Sequence, residues 1–512
     1  MAGFRGNTAG MTPLGMLRAY YLGAIVCIGG FLFGYDSGII GGVLSLPPFQ
    51  DDFNFKSKHQ TAVQSLSVAL QQLGAFVACF AIWPITNRYG RKWAIAFCAN
   101  IFCIGAAIQT ANTHSTSVFY IGRVIAGLGL GGSSVVVPMF SGEMVPKQIR
   151  GQIGSFYQLM FTLGIFTSYW CDWGVARNYA NNDSRMWQIP VGLQILWAGL
   201  LVLGMFTVKE SARWLMAAGR TEEAWESLKW VRADDGPITQ AEFQEIREGV
   251  ELEAHAREGF RMVEMIQGGN LRRTLTASGV FIAQQATGAT AFAYYGPQYF
   301  KLMVGGNAQS NLLLTAIFGA IKVAACLAFV LFVADRVGRR TVFTVGAAFM
   351  AACQISTAVV VATHPPPKLA DAHVTHSGIA TIALIYLFVI AYNFSWGPLP
   401  WPYVAEIFPA RTRAPGTAIG VASQWLFNFV FSLTTPYMIK NLSWGTFLLW
   451  GIFDICIALF AWFCLSETQG KSLEEITQTT SHRSNTGMRN LVGEEDCMGS
   501  MRSGESPDAK LK

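Results

Sequence analysis

The chain has 512 residues, of which 52% are hydrophobic and only 13% are charged, and its formal net charge is +6. A soluble domain carries about 25% charged residues, so this composition excludes soluble enzymes, disordered scaffolds and small disulfide-stapled domains, and the small positive charge does not indicate a nucleic-acid partner. Several apolar runs exceed the ~18 residues that mark a membrane-spanning helix, which predicts a polytopic protein of the lipid bilayer.

Twelve spans are predicted in chain order, which makes the fold an all-α membrane protein. They lie near residues 21–44, 64–86, 93–111, 117–141, 153–173, 188–208, 274–300, 311–334, 341–362, 379–405, 414–438 and 444–465. Residues 209–273 carry 23 charges in 65 positions, and helical spacing of their apolar residues indicates short amphipathic helices outside the bilayer. This linker separates two six-helix halves, 21–208 and 274–465, and the terminal tails are 1–20 and 466–512.

Basic residues set the predicted orientation. The loops after the second, fourth, eighth and tenth spans are short and rich in Lys and Arg, whereas basic residues are thinly spread on the other side. Positively charged loops stay in the cytoplasm. The basic side, with the linker and both termini, is therefore predicted to be cytoplasmic.

Three charged motifs occur twice along the chain. The copies are residues 143–150 and 406–413, residues 87–92 and 335–340, and Glu210 and Glu467. Each pair follows equivalent spans of the two halves, about 250–260 residues apart. Two related halves that face each other across a central site are the plan of a transporter.

Over about residues 20–475 the chain resembles the sugar porter family of the major facilitator superfamily. The repeated loops carry the resemblance together with Gly34-Tyr35-Asp36-Ser37-Gly38, Gly122-Arg123, Trp187-Gln188-Ile189-Pro190, Gln284-Gln285, Tyr294-Tyr295 and Gly397-Pro398-Leu399-Pro400-Trp401. Similar fungal proteins are proton symporters of monosaccharides, quinate or galacturonate. The resemblance implies the major facilitator fold and alternating access, and we expect a monomer in the plasma membrane.

Asp36 lies midway along the first span, where a carboxylate is costly unless it is paired or protonated. Arg123, early in the fourth span, is its expected partner. A static ion pair is one interpretation, but ionisable residues inside membranes mark functional sites by default. Similar proton symporters carry Asp at this position, so the resemblance implies that Asp36 binds the coupled proton and then releases Arg123.

Buried amides and tryptophans predict the substrate site, because a sugar needs hydrogen-bonding groups and a flat apolar face. The candidates are Gln158, Gln284, Gln285, Asn393, Trp401, Gln424, Trp425 and Asn428. The resemblance places Gln158, Gln284, Gln285 and Trp401 at the sugar. For Asn393, Gln424 and Asn428, hydrogen bonding between helices is an equal alternative, and Trp425 could serve packing alone.

Two positions depart from the usual hexose-porter pattern. Thr290, a further candidate for the substrate site, and Val323 stand where similar proteins often carry Asn. Lys322, also a substrate candidate, lies roughly 20 Å along the helix from Asp335, near mid-membrane. A neutral sugar needs no lysine there, whereas a carboxylate substrate does, and fungal quinate and galacturonate carriers look similar here. The alternative is an ion pair between Lys322 and Asp454, and the sequence leaves both interpretations open.

The repeated cytoplasmic charges predict a gate between the halves. The acidic candidates are Glu143, Glu210, Asp335, Glu406 and Glu467, and the basic candidates are Arg91, Arg150, Arg339 and Arg413. Salt bridges across the half interface are expected to hold the outward-open state and to break when the inside opens.

These features predict a proton symporter for a monosaccharide-sized sugar or polyol, with a preference for an acidic one such as galacturonate or quinate. A neutral hexose or pentose transporter, or a uniporter, is the alternative, and a transporter-like nutrient sensor is disfavoured by the short tail. The ten cysteines show no metal-ligand spacing, and no catalytic arrangement, metal or cofactor is predicted.

Overall fold

The computed structural model describes residues 12–53, 60–258, 260–332, 337–365 and 375–467. The gate candidate Asp335 lies outside these residues. The α-helices are α1 Pro13–Val43, α2 Pro47–Asp52, α3 Gln60–Tyr89, α4 Arg91–Thr110, α5 Thr116–Met144, α6 Arg150–Asn178, α7 Arg185–Thr207, α8 Ala212–Ala217, α9 Thr221–Arg232, α10 Pro237–Arg257, α11 Gly268–Ala286, α12 Ala289–Val304, α13 Ala308–Phe332, α14 Arg339–Thr363, α15 His376–Phe394, α16 Pro400–Ile407, α17 Ala410–Leu442 and α18 Gly445–Cys464. The described residues contain no strand, which confirms the predicted all-α class.

Nine of the described helices are long and apolar enough to cross a membrane: α1, α3, α4, α5, α7, α13, α14, α15 and α18. The other three predicted spans correspond to α6, to α11 with α12, and to α17. These three segments supply many of the polar residues that line the central cavity. A helix that lines such a cavity carries polar side chains, and these lower its mean hydropathy. Length and hydropathy thus support nine of the twelve spans, and the count of twelve stays a prediction from the sequence.

Two predicted continuous spans are broken in the structure. The span near 274–300 divides into α11 and α12 at Thr287 and Gly288, where Gly288 has φ +79°. This left-handed conformation favours glycine. The span near 379–405 divides into α15 and α16 across residues 395–399, where Pro398 and Pro400 lack the N–H groups that would continue the helix.

A stripe of glycines brings α1 and α6 into direct backbone contact. A Cβ on Gly34 would overlap the carbonyl of Phe161, and a Cβ on Gly42 would overlap the carboxyl of Asp172. Small residues permit such close packing between membrane helices. The stripe therefore fixes α1, which carries Asp36, against α6, which lines the cavity.

The linker helices α8–α10 lie on one face of the bundle, called here the linker face; the opposite side is the far face. The Thr12 hydroxyl donates to the carbonyl of Arg232, 3.0 Å away, so the start of α1 lies at the linker face. The end of the described chain lies there too, since Glu467 accepts from the N–H of Arg339. The first C-terminal helix begins at Gly268, a few residues before the predicted boundary at 274, because α11 extends a polar turn towards the linker.

Candidate functional site

A cavity of about 500 Å³ lies between the two halves of the bundle. It extends from Ser37 and Gln284, deep in the bundle, to Arg150 and Arg339 at the linker face. The lining includes nine of the ten predicted substrate residues: Gln158, Gln284, Gln285, Thr290, Lys322, Asn393, Trp401, Gln424 and Asn428. Both halves thus contribute side chains to one polar and aromatic cavity.

The halves are in contact on the far side of this cavity. The Tyr169 hydroxyl of α6 donates to the carbonyl of Ala293 in α12, 2.8 Å away. Near the far end of α3, the Ser65 hydroxyl donates to the carbonyl of Leu433 in α17. The cavity therefore opens to the linker face while these contacts hold the far-face ends of the halves together.

Gln284 and Gln424 form a hydrogen-bonded pair in the cavity wall. Gln284 donates to the carbonyls of Trp396 and Gly397, at 3.0 and 3.1 Å, where the helical backbone is broken. Gln424 donates to the Gln284 carbonyl oxygen at 3.1 Å. Buried polar groups need such partners, so these amides support the break between α15 and α16 and also face the cavity.

Other amides leave groups free for a ligand. Among the described residues, the Gln158 side chain has no hydrogen-bond partner, and the buried Gln285 Oε1 has none either. Asn393 instead donates to the carbonyl of Val389 in its own helix, at 2.7 Å. The unpartnered groups of Gln158 and Gln285 can therefore serve as hydrogen-bonding groups for a polyhydroxy ligand.

Trp401 and Trp425 occupy different positions. Trp401 lines the cavity and packs edge-on against Phe281, with ring centroids 5.2 Å apart. Trp425 does not line the cavity; it is buried, and its Nε1 donates to Ser134 Oγ of α5 at 3.2 Å. Trp425 therefore joins the two halves, whereas Trp401 offers an aromatic surface to a ligand.

Lys322 lies in the cavity wall with only 5% of its surface exposed. Its Nζ is 5.7 Å from the centroid of the Phe161 ring and 5.9 Å from that of Tyr392. These distances fit cation–π contacts. No carboxylate lies within salt-bridge distance of Lys322 among the residues that the structure describes, so this cation faces the cavity without an anionic partner.

Asp454 is not the partner of Lys322. It lies fully buried on α18, outside the cavity lining, and neither of its carboxyl oxygens has a hydrogen-bond partner within the described part of the chain. The helix that carries Asp454 packs against α14, away from α13 and its lysine. Of the two interpretations that the sequence left open, the structure removes the ion pair with Asp454.

Asp36 and Arg123 form a buried ion pair just behind the cavity wall. Arg123 Nη1 is 3.6 Å from Asp36 Oδ1, and both side chains are at most 2% exposed. Arg123 is held further by the carbonyl of Ser67 at 2.8 Å and by Gln109 Oε1 at 3.4 Å. Ser37, the residue after Asp36, lines the cavity. The pair is therefore adjacent to the cavity without being part of its lining.

The charged residues at the linker face repeat one geometry in each half. In the N-terminal half, the Glu210 carboxylate accepts from the backbone N–H groups of Arg91 and Lys92 at 3.0 and 3.1 Å. Arg91 Nε lies 3.1 Å from Glu143. Burial raises the pKa of Glu210, and these N–H donors at the start of α4 oppose that shift. Glu210 thus caps the helix that presents Arg91.

The C-terminal half contains the equivalent arrangement. Glu467 accepts from the N–H groups of Arg339 and Arg340 at 2.9 and 3.1 Å, and Arg339 Nη2 lies 2.8 Å from Glu406. The arginines that end the repeated motifs 143–150 and 406–413 also make equivalent hydrogen bonds. Arg150 donates to the carbonyl of Val145 and Arg413 to that of Phe408, both at 3.3 Å and both five residues back.

These pairs leave the predicted gate a prediction, because it concerns the state in which the linker face is closed. The sequence interpretation placed salt bridges across the half interface in the outward-open state and expected them to break when the inside opens. In this structure the described pairs Arg91–Glu143 and Arg339–Glu406 each join neighbours within one half. The cavity opens between the halves at this face, so charges of opposite halves are separated there. In this conformation the described pairs Arg91–Glu143 and Arg339–Glu406 therefore stabilise each half.

Sequence reasoning missed several residues of the site. Tyr294 and Tyr392 line the cavity, Gln71 donates to Asp36, and Asp172 is a third buried carboxyl besides Asp36 and Asp454. Adjacent glutamines at 71 and 72 inside an apolar run were the available signal, because buried amides need partners. Nothing in the sequence indicated that Asp172 faces Gly42 across the α1–α6 contact.

Comparisons with known proteins give a consistent result. The family model described as "Sugar (and other) transporter" matches residues 22–479. A probable quinate permease of Aspergillus fumigatus is 32% identical over 477 residues, which cover 90% of this chain and 86% of that protein. The quinate permease of Emericella nidulans is 32% identical over 468 residues, covering 90% and 88%.

Solved structures show the same architecture. The proton:xylose symporter XylE of the major facilitator superfamily, bound to 6-bromo-6-deoxy-D-glucose, aligns with a TM-score of 0.75 and 27% identity, covering 91% of this chain and 99% of that one. An inward-open conformation of the xylose transporter XylE from E. coli aligns with a TM-score of 0.75 and 26% identity, covering 90% and 99%. The family match and the paired halves confirm the predicted resemblance: the chain belongs to the sugar (and other) transporter family of the major facilitator superfamily.

Proposed function

We propose that this protein is a proton-coupled symporter of a monosaccharide-sized polyol that carries a carboxylate, of the quinate type. The observation that carries the substrate class is Lys322, a buried cation in the cavity wall with no carboxylate partner among the described residues. A buried charge without a partner is costly, and a carboxylate substrate would supply the partner. The relatives described as quinate permeases support the same class.

The rest of the cavity suits a polyhydroxy ring. Gln158 and Gln285 offer hydrogen-bonding groups, and Trp401 offers an aromatic surface. Binding sites of this kind combine a few placed polar groups with apolar walls. In this proposal Lys322 binds the carboxylate, the amides bind hydroxyl groups, and Trp401 packs against a face of the ring.

Transport proceeds by alternating access. The structure corresponds to the state in which the cavity opens to the linker face. In this proposal the linker face and both termini are cytoplasmic, and the basic loops on that side support this orientation. Asp36 carries the proton. Its protonation removes the charge that holds Arg123 and allows α1 and α5 to move relative to each other. Acid–base pairs within each half, such as Arg339 and Glu406, keep each half rigid during the movement.

The protein acts as a monomer in the plasma membrane in this proposal. Side chains from both halves of the chain line the cavity, which supports a transport path between the two halves of one subunit. A neutral sugar is the second candidate substrate, favoured by the uncharged amides of the wall and by the similarity to a xylose symporter.

A competition assay separates the two substrate classes. Proteoliposomes with purified protein take up labelled quinate on an inward proton gradient, and unlabelled quinate, galacturonate, glucose or xylose is added in excess. We expect quinate to abolish uptake of the label, and glucose and xylose to leave most of it. Strong uptake of labelled glucose, with no uptake of quinate, would overturn the acidic-substrate proposal.

A further inference from the structure

Gln71 is the hydrogen-bond donor to the buried carboxylate of Asp36. Its Nε2 donates to Asp36 Oδ2, while Asp36 Oδ1 faces Arg123. The Gln71 side chain is fully buried, and its backbone carbonyl packs against Gly127 of α5, where a Cβ would overlap it. The α3–α5 contact therefore holds the glutamine in place. Its side chain makes one hydrogen bond that the structure shows, to Asp36.

The neighbouring residue on α3, Gln72, contacts a residue of the cavity lining. Asn428 Nδ2, in the cavity lining, is 3.5 Å from Gln72 Oε1 and 3.1 Å from the Tyr294 hydroxyl. Gln72 is 2% exposed. Two consecutive amides on one helix thus contact the proton site and a cavity residue of the opposite half.

We propose that Gln71 positions the Asp36 carboxylate and sets the pH at which it takes up a proton, and that Gln72 links this site to the substrate cavity through Asn428. The inference rests on the proposed proton symport and identifies the side chains that couple proton to substrate. An amide N–H stabilises the ionised form of a carboxyl group. Protonation of Asp36 weakens its hydrogen bond with Gln71. Any shift of α3 that follows is transmitted to Asn428 through the side chain of Gln72.

Other charged and titratable groups near Asp36 are few. Arg123 on α5 is the opposite charge. The hydroxyls of Tyr294 and Tyr295 on α12 lie within electrostatic range of Arg123, and that of Tyr294 also lies within range of Asp36. On α6, Asp172 lies against Gly42, six residues further along α1. A change at Gln71 leaves all of these groups in place, so its effect on Asp36 can be measured separately.

Infrared titration of purified protein tests the first step without transport. The C=O band of protonated Asp36 is assigned by its loss in Asp36→Asn. In Gln71→Met we expect the midpoint of this titration to move up by about one pH unit, a tenfold gain in proton affinity. Gln71→Asn has a side chain one methylene too short to reach Asp36 and should shift the midpoint in the same direction. It replaces Gln71→Met in the experiment if the methionine variant does not fold. Gln194→Met is the matched control, because Gln194 is a fully buried glutamine on α7 without a side-chain partner among the described residues.

The link to the cavity has its own readout. Proton and substrate must change each other's affinity by the same factor, so quinate should raise the Asp36 midpoint in the wild type. Gln72→Met should keep the midpoint without quinate and lose the quinate-induced rise. An unshifted midpoint in folded Gln71 variants, an equal shift in Gln194→Met, or a full quinate effect in Gln72→Met would overturn the proposal. If the midpoints shift as expected but the wild type does not accumulate quinate on a proton gradient, symport is the part that fails.

Discussion

Asp36→Asn should abolish the uphill accumulation of quinate on a proton gradient while exchange of quinate across the membrane continues. Asparagine resembles the protonated carboxyl in shape and charge but cannot gain or lose the proton. The variant protein can therefore change conformation with substrate bound and cannot use the gradient. In proteoliposomes, we expect the ratio of internal to external quinate to fall to about one, with counterflow retained.

The matched control for this variant is Asp454→Asn. Asp454 is also a buried carboxyl inside a membrane helix, but it lies on α18 outside the cavity lining and away from Arg123. Accumulation should survive this change. If Asp36→Asn still concentrates quinate on a pH gradient, or if both variants lose accumulation alike, Asp36 is not the proton carrier.

Lys322→Gln should weaken quinate binding by roughly ten- to a hundredfold. The substitution keeps a polar side chain of similar length and removes the charge that we assign to the substrate carboxylate. A hydrogen bond to a charged group contributes about 1.5–3 kcal/mol, which corresponds to that range in affinity. Binding of quinate to purified protein, measured by calorimetry, gives the ratio directly. Any binding or transport of neutral sugars should be retained.

Lys301→Gln is the control for the lysine variant. Lys301 is exposed in the last turn of α12, at the far face and outside the cavity lining. Its substitution should leave quinate affinity unchanged. Equal loss of acidic and neutral substrates in well-folded Lys322→Gln would mean that the lysine supports the cavity instead of recognising a carboxylate.

The sequence predicted the architecture because its signals are local. Apolar run length and the repeated loop motifs each depend on neighbouring residues, and each corresponds to a feature of the structure. Lys322 could be placed near mid-membrane by counting along one helix. Its partner could not be chosen, because the choice depends on how α13 and α18 are arranged relative to each other.

The remaining features depend on tertiary structure or conformation. Charge alone could pair Arg339 with Glu406. Whether such a pair forms within one half or across the half interface depends on which face of the bundle is open. The break at Gly288 is set by a backbone conformation, and the same apolar run is compatible with a straight helix. The hydrogen bond between Gln71 and Asp36 joins α3 to α1. The pattern of residues along one helix does not specify how it is rotated relative to another, so this contact could not be predicted.

Simultaneous recording of proton uptake and net charge movement tests the account most directly. One proton on Asp36 and one carboxylate on the substrate together carry no net charge, whereas a proton with a neutral sugar carries one positive charge. When quinate is added to proteoliposomes, the account predicts that protons enter with quinate and that no net current accompanies them. Quinate entry without protons, seen as inward movement of negative charge, would contradict it.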